Sequence, residues 1–330
     1  MAQVPTNQLQ SQTLMTQYLP RPLYLILKTA RPRQWIKNLS MFAALFFSGF
    51  MFEDHYFMRV VWAFVIFTIT TGSVYIFNDI IDAPIDRLHP FKKKRPIASG
   101  ELPISLAAFT AILGFFVSLF LSWSYDVFFF SMVLLYTILH FSYSLKLKQI
   151  PILDVLSIAS GFVIRVYAGA LVVNLHMSVW FLFTVVSLAL FMAVAKRQSE
   201  RTLIKGLVGD LKGHRVTLSR YTQRLLDIYT GMFSNATWIS YALFSFNFAP
   251  FTPTGHLLSL YTILPRTFTN AKIMMATVPL VIYGIMRYLQ LVYEQNQGES
   301  PERVLLSDKP LITAGILYGI LTFAIIYGVR

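Results

Sequence analysis

Long apolar runs separated by short polar turns dominate this sequence. A helix that crosses a membrane needs about 20 mostly apolar residues. Nine such stretches can be drawn, at about 36–52, 58–78, 104–122, 126–144, 152–173, 178–195, 228–248, 273–291 and 310–328. The two-residue alternation of a transmembrane β-barrel dominates none of them. The pattern therefore predicts an all-α integral membrane protein, a bundle of nine transmembrane helices. The first stretch begins among Arg31, Arg33 and Lys37 beside Trp35, which reads as an interfacial start. The segment 249–272 contains Pro250, Pro253, Gly255, Pro265 and Arg266, so it reads as an external loop with a short helix. Residues 1–20 are polar and have no basic side chain before Arg21. They read as a flexible cytoplasmic tail, not a signal peptide. The polar loops are too short for a separate soluble unit, so 21–330 reads as a single polytopic helical domain.

Charge fixes an expected orientation. Only 13% of the 330 residues are charged, against about 25% in soluble domains. Lys and Arg number 28 against 15 Asp and Glu, a net charge of +13. The basic residues gather in three loops: Arg87 and Lys92-Lys93-Lys94-Arg95, then Lys146 and Lys148, then 196–224. The turns near 53–57, 123–125 and 174–177 have neither Lys nor Arg. Counting spans puts all three basic loops on one side, and the positive-inside rule makes that side cytoplasmic. The expected location is the cell membrane, with the N-terminus and the polar site facing the cytoplasm. The excess charge is thus a topology signal and a source of anion sites, not a sign of a nucleic-acid partner. With no Cys in the chain, disulfides and thiolate chemistry are excluded. Aromatic-rich spans are compatible with a homo-oligomer, but serve equally as lipid-facing surface.

Three polar groups interrupt this apolar background. The second span ends in Asn78-Asp79-x-x-Asp82-x-x-x-Asp86. On a helix these three carboxylates share one face. Such like charges repel unless they converge on a divalent cation, and clustered oxygen ligands suit Mg²⁺. Pro84 kinks or ends the helix, in which case Asp86 stands on a turn. Arg95, fixed by Pro96, is the best-ordered cation for a phosphate contact. The fourth span ends in Tyr143-Ser144 with Lys148 beyond it, and Asp154 opens the fifth. Arg165 follows 11 residues later, close to three turns, so it shares a face with Asp154. It reads either as a phosphate ligand or as the partner of a buried acid. The sixth span ends in Lys196-Arg197-Gln198-Ser199-Glu200, mirroring the aspartate group across the bundle. Asp210 and His214 lie further along that loop, and a lone His there reads as a surface residue.

Asn78-Asp79-x-x-Asp82-x-x-x-Asp86, with Arg87-x-x-Pro90 and Arg95-Pro96-Ile97-Ala98-x-Gly100, resembles the first aspartate motif of the UbiA-type intramembrane prenyltransferases. The resemblance covers about residues 28–328 and implies nine helices around a Mg²⁺-dependent cavity. Ordinary members carry a second aspartate-rich motif where this chain has Lys196-Arg197-Gln198-Ser199-Glu200. That departure is similar to the branch of decaprenyl-phosphate phosphoribosyltransferases. So are Arg31-Pro32-Arg33-Gln34-Trp35-Ile36-Lys37-Asn38, Tyr143-Ser144, Ile164-Arg165 before Gly169, Gly298-Glu299, Pro301-Glu302 and Asp308. The likeness implies phosphoribosyl pyrophosphate and a long polyprenyl phosphate as substrates, with membrane lipids around them. The implied product is a precursor of arabinose donors for the cell wall. It implies Asp79, Asp82 and Asp86 as catalytic metal ligands. It places Lys37, Asn78, Arg95, Tyr143, Lys148, Asp154, Arg165, Lys196, Arg197 and Glu200 around the substrates. A prenyl diphosphate transferase with an aromatic or isoprenoid acceptor is the alternative enzyme, and a transporter of lipid phosphates is the alternative of another class.

Overall fold

The computed structural model describes residues 20–88, 92–208, 221–248, 272–294, 304 and 307–328, side chains at 203–208 excepted. Residues 1–19 of the expected tail, 249–271 of the expected 249–272 loop, Pro90, Asp210, His214, Gly298, Glu299, Pro301 and Glu302 lie outside those residues. The helices are α1 (Arg21–Ala30), α2 (Ala43–Phe47), α3 (Asp54–Asp86), α4 (Ile104–Tyr125) and α5 (Val127–Leu145). They continue as α6 (Leu153–Val172), α7 (Val179–Val208), α8 (Gln223–Asn247), α9 (Val278–Tyr293) and α10 (Lys309–Tyr327). A 3₁₀ helix, Pro32–Phe42, joins α1 to α2, and another, Ile273–Thr277, leads into α9.

Seven stretches among the described residues are long and apolar enough to cross a membrane. They are α3, α4, α5, α6, the first part of α7, Ile273–Tyr293 and α10. The chain is therefore an all-α, multi-pass membrane protein. Without water in the bilayer, backbone and hydroxyl groups must be satisfied internally. Thr70, Thr71 and Ser73 accordingly donate to the carbonyls of Ile66, Phe67 and Ile69, four residues back. Helix α8 is also long, 25 residues, but more polar. Its Thr230, Ser234, Thr237, Ser240 and Ser245 are buried, and it packs along α7. Small hydroxyl residues at such a seam allow close helix approach.

The expected first span differs. Residues 36–52 do not form one regular helix; they fall within the Pro32–Phe42 3₁₀ helix, α2 and the turn beyond. Eleven residues is long for 3₁₀ geometry, and packing against α6 holds this segment in place. A Cβ added at Gly169 would lie 1.9 Å from the Met41 carbonyl oxygen. Gly169→Ala is expected to cost at least about 1–3 kcal/mol through overpacking. A Tm in detergent equal to that of the parent protein would contradict this close approach.

The largest core lies between α3, α5, α6 and this strap, around Met41, Phe67, Phe129 and Tyr136. Two others gather Phe191, Tyr288 and Leu291, and Phe181, Tyr241 and Phe244. Phe116, Phe120, Trp123 and Phe128 project outward, as side chains facing lipid do.

Candidate active site at one end of the bundle

Helix α3 has 33 residues, about 50 Å at 1.5 Å per residue, against about 30 Å of hydrocarbon. Its last turns therefore continue beyond the apolar span and carry the aspartates. Pro84 lies inside the helix and does not end it, so Asp86 stays on the last turn. Asp79 and Asp86 are each 3% exposed, and Asp82 is half-buried.

Each carboxylate has a basic partner. Arg31 donates to Asp79 Oδ1. Arg95 Nη1 bridges Asp79 Oδ1 at 3.2 Å and Asp86 Oδ2 at 2.5 Å. Lys148 Nζ lies 2.5 Å from Asp82 Oδ1. Asn78 Nδ2 donates to Asp82 Oδ2 at 3.0 Å, and Ser144 Oγ donates to Asn78 Oδ1 at 3.1 Å. Arg95 opens a tight turn that closes at Gly100, whose φ of +83° explains glycine there. Arg31 itself is left-handed, φ 56°, at the junction of α1 and the 3₁₀ strap, and its guanidinium stacks 5.2 Å from the Tyr75 ring. A cavity of about 270 Å³ opens beside Asp79, lined by Lys28, Arg31, Lys92, Lys94 and Arg95 among others.

No group of three His, Cys, Asp or Glu side chains among the described residues is gathered as a metal site. Each carboxylate is paired instead with an Arg or Lys side chain. The donor set is still all oxygen, as Mg²⁺ prefers.

A second cluster surrounds Arg197. Helix α7 runs on to Val208, so Lys196, Arg197 and Glu200 are helical and not in the loop expected at 196–224. Arg197 is 1% exposed and Asp154 is fully buried. Arg197 Nε lies 2.8 Å from Asp154 Oδ2, an ion pair outside hydrogen-bonding geometry. Arg197 Nη1 donates to Glu200 Oε2 at 2.5 Å, and Nη2 to Tyr143 Oη at 3.4 Å. Lys196 has Glu200, Lys37 and Arg197 as charged neighbours. Tyr221 donates to Asp154 Oδ1 at 2.7 Å and accepts from the Ile152 N–H at 2.6 Å. Burial pushes its phenol well above the ordinary range. Ile152, with φ 70°, is strained for a β-branched residue, and this bond restrains it.

The end of α5 joins the clusters: Ser144 and Lys148 face the aspartates, Tyr143 faces Arg197. The 3₁₀ strap makes a second link, with Arg31 at its head and Lys37 toward Lys196. Arg165 joins neither. It shares a face with Asp154, but 11 residues of helix separate the two by about 16 Å. Its Nε, Nη1 and Nη2 donate to Asn38 Oδ1, Gly161 O and Tyr136 Oη at 2.8, 2.8 and 2.5 Å. The reading of Arg165 as partner of the buried acid is thus corrected: Arg197 fills that place, and Arg165 fastens the strap to α6 through Asn38.

Asp308 lies elsewhere. It caps α10 by accepting from Leu311 N at 2.9 Å and pairs with Arg287 at 2.7 and 3.1 Å. The Arg287 hydrogen bonds hold its carboxyl below the usual range. A depressed folded pKa means the contribution is present above the ordinary carboxylate range and lost as pH falls through the folded value. Asp308→Ala is expected to cost about 1 kcal/mol through the cap. The difference from the parent protein should shrink on acidification; a pH-independent difference would contradict it.

Residues 39–307 match the UbiA prenyltransferase family. Proteins named decaprenyl-phosphate phosphoribosyltransferase are similar over 290 residues. That of Mycolicibacterium smegmatis is 34% identical, with 87% of each chain covered. That of Corynebacterium glutamicum is 31% identical, with 87% of this chain and 82% of the relative covered. In fold, the chain is similar to a UbiA homologue from Archaeoglobus fulgidus solved with GPP and Mg²⁺. The TM-score is 0.64 at 20% identity, covering 92% of this chain and 99% of that one.

Proposed function

Because the chain belongs to the UbiA prenyltransferase family, we propose that it transfers 5-phosphoribose from phosphoribosyl pyrophosphate to a polyprenyl phosphate such as decaprenyl phosphate, releasing pyrophosphate. The observation that carries this reading is the union of two unlike polar clusters at one end of the bundle. One is acidic and ringed by Arg31, Arg95 and Lys148. The other is centred on Arg197, with Lys196 and Lys37 beside it. A donor with a phosphate at one end and a pyrophosphate at the other suits two such clusters. The names of the full-length relatives point the same way.

Asp79, Asp82 and Asp86, with Asn78, are the residues that would hold Mg²⁺ against the pyrophosphate. When bound, the ion neutralises charge developing on the leaving group. Arg31, Arg95 and Lys148 add positive charge there. Lys196 and Lys37 face the 5-phosphate, and Glu200 accepts from ribose hydroxyls. Tyr143, Asp154 and Tyr221 orient Arg197. An oxygen of the lipid phosphate attacks ribose C1 as the C1–O bond to pyrophosphate breaks; the bonding pair leaves with pyrophosphate, and C1 inverts. No general base is needed, since a phosphate monoester, with a second pKa of about 6, is already ionised at neutral pH. The protein contributes alignment and fixed charge. In this proposal the chain crosses the bilayer nine times with the site toward the cytoplasm, as Lys92–Lys94, Lys146 and Lys148 favour.

A second reading has a specific observation behind it. Two of the solved structures similar in fold hold the prenyl diphosphates GPP or DMAPP with Mg²⁺, and these ligands speak more directly for prenyl transfer than for phosphoribosyl transfer. The aspartate cluster would serve either diphosphate. Pyrophosphate release separates the two. The first reading expects it from phosphoribosyl pyrophosphate plus polyprenyl phosphate. Release only from a prenyl diphosphate plus an aromatic or isoprenoid acceptor would overturn the first in favour of the second.

A further inference from the structure

We propose that Arg165 is a positioning residue for the reaction: from deep in the bundle it sets Lys37 against the donor's 5-phosphate, acting through Asn38 and the 3₁₀ strap. The inference rests on the reading that Lys37 and Lys196 face that phosphate, and it extends the site to a side chain that touches no substrate.

Arg165 is 5% exposed and sits inside a membrane-length helix. Its Nε, Nη1 and Nη2 each donate to a neutral oxygen, those of Asn38, Gly161 and Tyr136. A cation in such a place is costly, and apolar packing would fasten the same elements without that cost. What a guanidinium adds is a rigid fork with fixed donor directions. Here the fork joins the strap, α5 and α6. Asn38, fully buried, extends the junction to α3: its Nδ2 donates to Thr68 Oγ1 at 3.1 Å and to Thr71 Oγ1 at 3.4 Å. The same four elements carry the site. Asp79, Asp82 and Asp86 are on α3, Tyr143 on α5, Asp154 on α6 and Lys37 on the strap.

The strap meets α6 at two points. Met41 presses its backbone on Gly169, and Asn38 bonds Arg165, four residues nearer the Asp154 end of α6. The first contact is backbone on backbone, so it holds the strap in the fold whatever side chain stands at 165. The second fixes the residue next to Lys37, and Lys37 is a charged neighbour of Lys196. Arg31, at the strap's head, has an anchor of its own in the Tyr75 ring at 5.2 Å. Losing the Arg165 fork is therefore felt by Lys37 and not by the aspartate cluster.

The test uses the full chain in nanodiscs and two radiolabelled probes in equilibrium dialysis. Ribose 5-phosphate reads the Lys37 side, and inorganic pyrophosphate with Mg²⁺ reads the aspartate side. Arg165→Lys keeps the charge and removes the fork. It is expected to weaken ribose 5-phosphate retention roughly tenfold to a hundredfold, the scale of a misplaced contact, and to leave pyrophosphate retention unchanged. Asn38→Leu, which removes the acceptor, should do the same, whereas Asn38→Asp, which keeps it, should not. Lys37→Gln should lose as much, and adding Arg165→Lys to it should cost nothing further. Equal weakening of both probes overturns the positioning role, as does full ribose 5-phosphate retention in Arg165→Lys. Additive losses in the double variant also overturn it and put Arg165 on the phosphate itself. In each of these cases the proposed function stands. A parent protein that retains pyrophosphate but not ribose 5-phosphate overturns the Lys37 reading and this inference with it; retention of neither probe overturns the function as well. If Arg165→Lys does not fold, the two Asn38 variants decide the matter.

Discussion

Asp82→Ala is expected to lower metal-dependent turnover by roughly a hundredfold to a thousandfold or more, the scale seen when a fixed stabiliser of transition-state charge is lost. Of the three aspartates, Asp82 gives the cleanest test. Its side chain is 24% exposed, whereas those of Asp79 and Asp86 are almost fully buried under guanidinium groups. Removing Asp82 takes one acceptor from Lys148, itself partly exposed, and one from Asn78 Nδ2. Water can reach both, so the fold should survive. The variant should elute as the parent protein does in detergent and still bind a polyprenyl phosphate. A folded Asp82→Ala protein with near-normal turnover would remove the metal assignment.

Asp154→Ala should have the largest effect on stability. The Asp154–Arg197 pair is buried, at 0% and 1% side-chain exposure. Deleting one partner of a buried pair costs up to about 3–5 kcal/mol when the other charge is left uncompensated, and the lower end is expected here because Glu200 still faces Arg197. Tyr221 also loses its acceptor, and with it one restraint on the strained Ile152. Adding Arg197→Met to Asp154→Ala should recover part of the loss, since a buried pair replaced by apolar side chains is often near neutral. Thermal unfolding in detergent measures both. An unchanged Tm in the single variant, or a double variant that loses the full sum, would contradict the pair's structural role.

The aspartate face was legible because helical spacing is a short-range property: residues 79, 82 and 86 share a face in any regular helix, and α3 is regular through Pro84. The apolar runs likewise foretold most helices, since twenty lipid-facing residues leave a strong trace. The polar ends of spans were readable as one assembly only in outline. Tyr143 and Lys148 were found, because they punctuate an apolar run. That Tyr143 faces Arg197 while Lys148 faces Asp82 depends on how α5 is rotated. That Arg197, and not Arg165, stands beside Asp154 is not legible, because periodicity gives direction around a helix, not reach along it. Arg31 lay in a noticed motif, but its role comes from a left-handed backbone that no hydropathy pattern encodes. Tyr221 had no signal at all. It meets Asp154 across 67 residues of chain, and a tyrosine near a span looks like any interfacial aromatic. The extension of α7 past Ala195 is hidden for a simpler reason: charged residues after an apolar run read as a loop, whereas here they continue a helix that buries Arg197, Gln198 and Ser199.

The most direct measurement offers purified protein in nanodiscs both donors at once, phosphoribosyl pyrophosphate and a prenyl diphosphate. Polyprenyl phosphate and an aromatic acceptor are also present, with and without Mg²⁺, and the lipid products are weighed by mass spectrometry. The account predicts a Mg²⁺-dependent lipid heavier than polyprenyl phosphate by one phosphoribosyl group. A prenylated acceptor, with the polyprenyl phosphate unchanged, would contradict it and assign the Arg197 cluster to a different substrate.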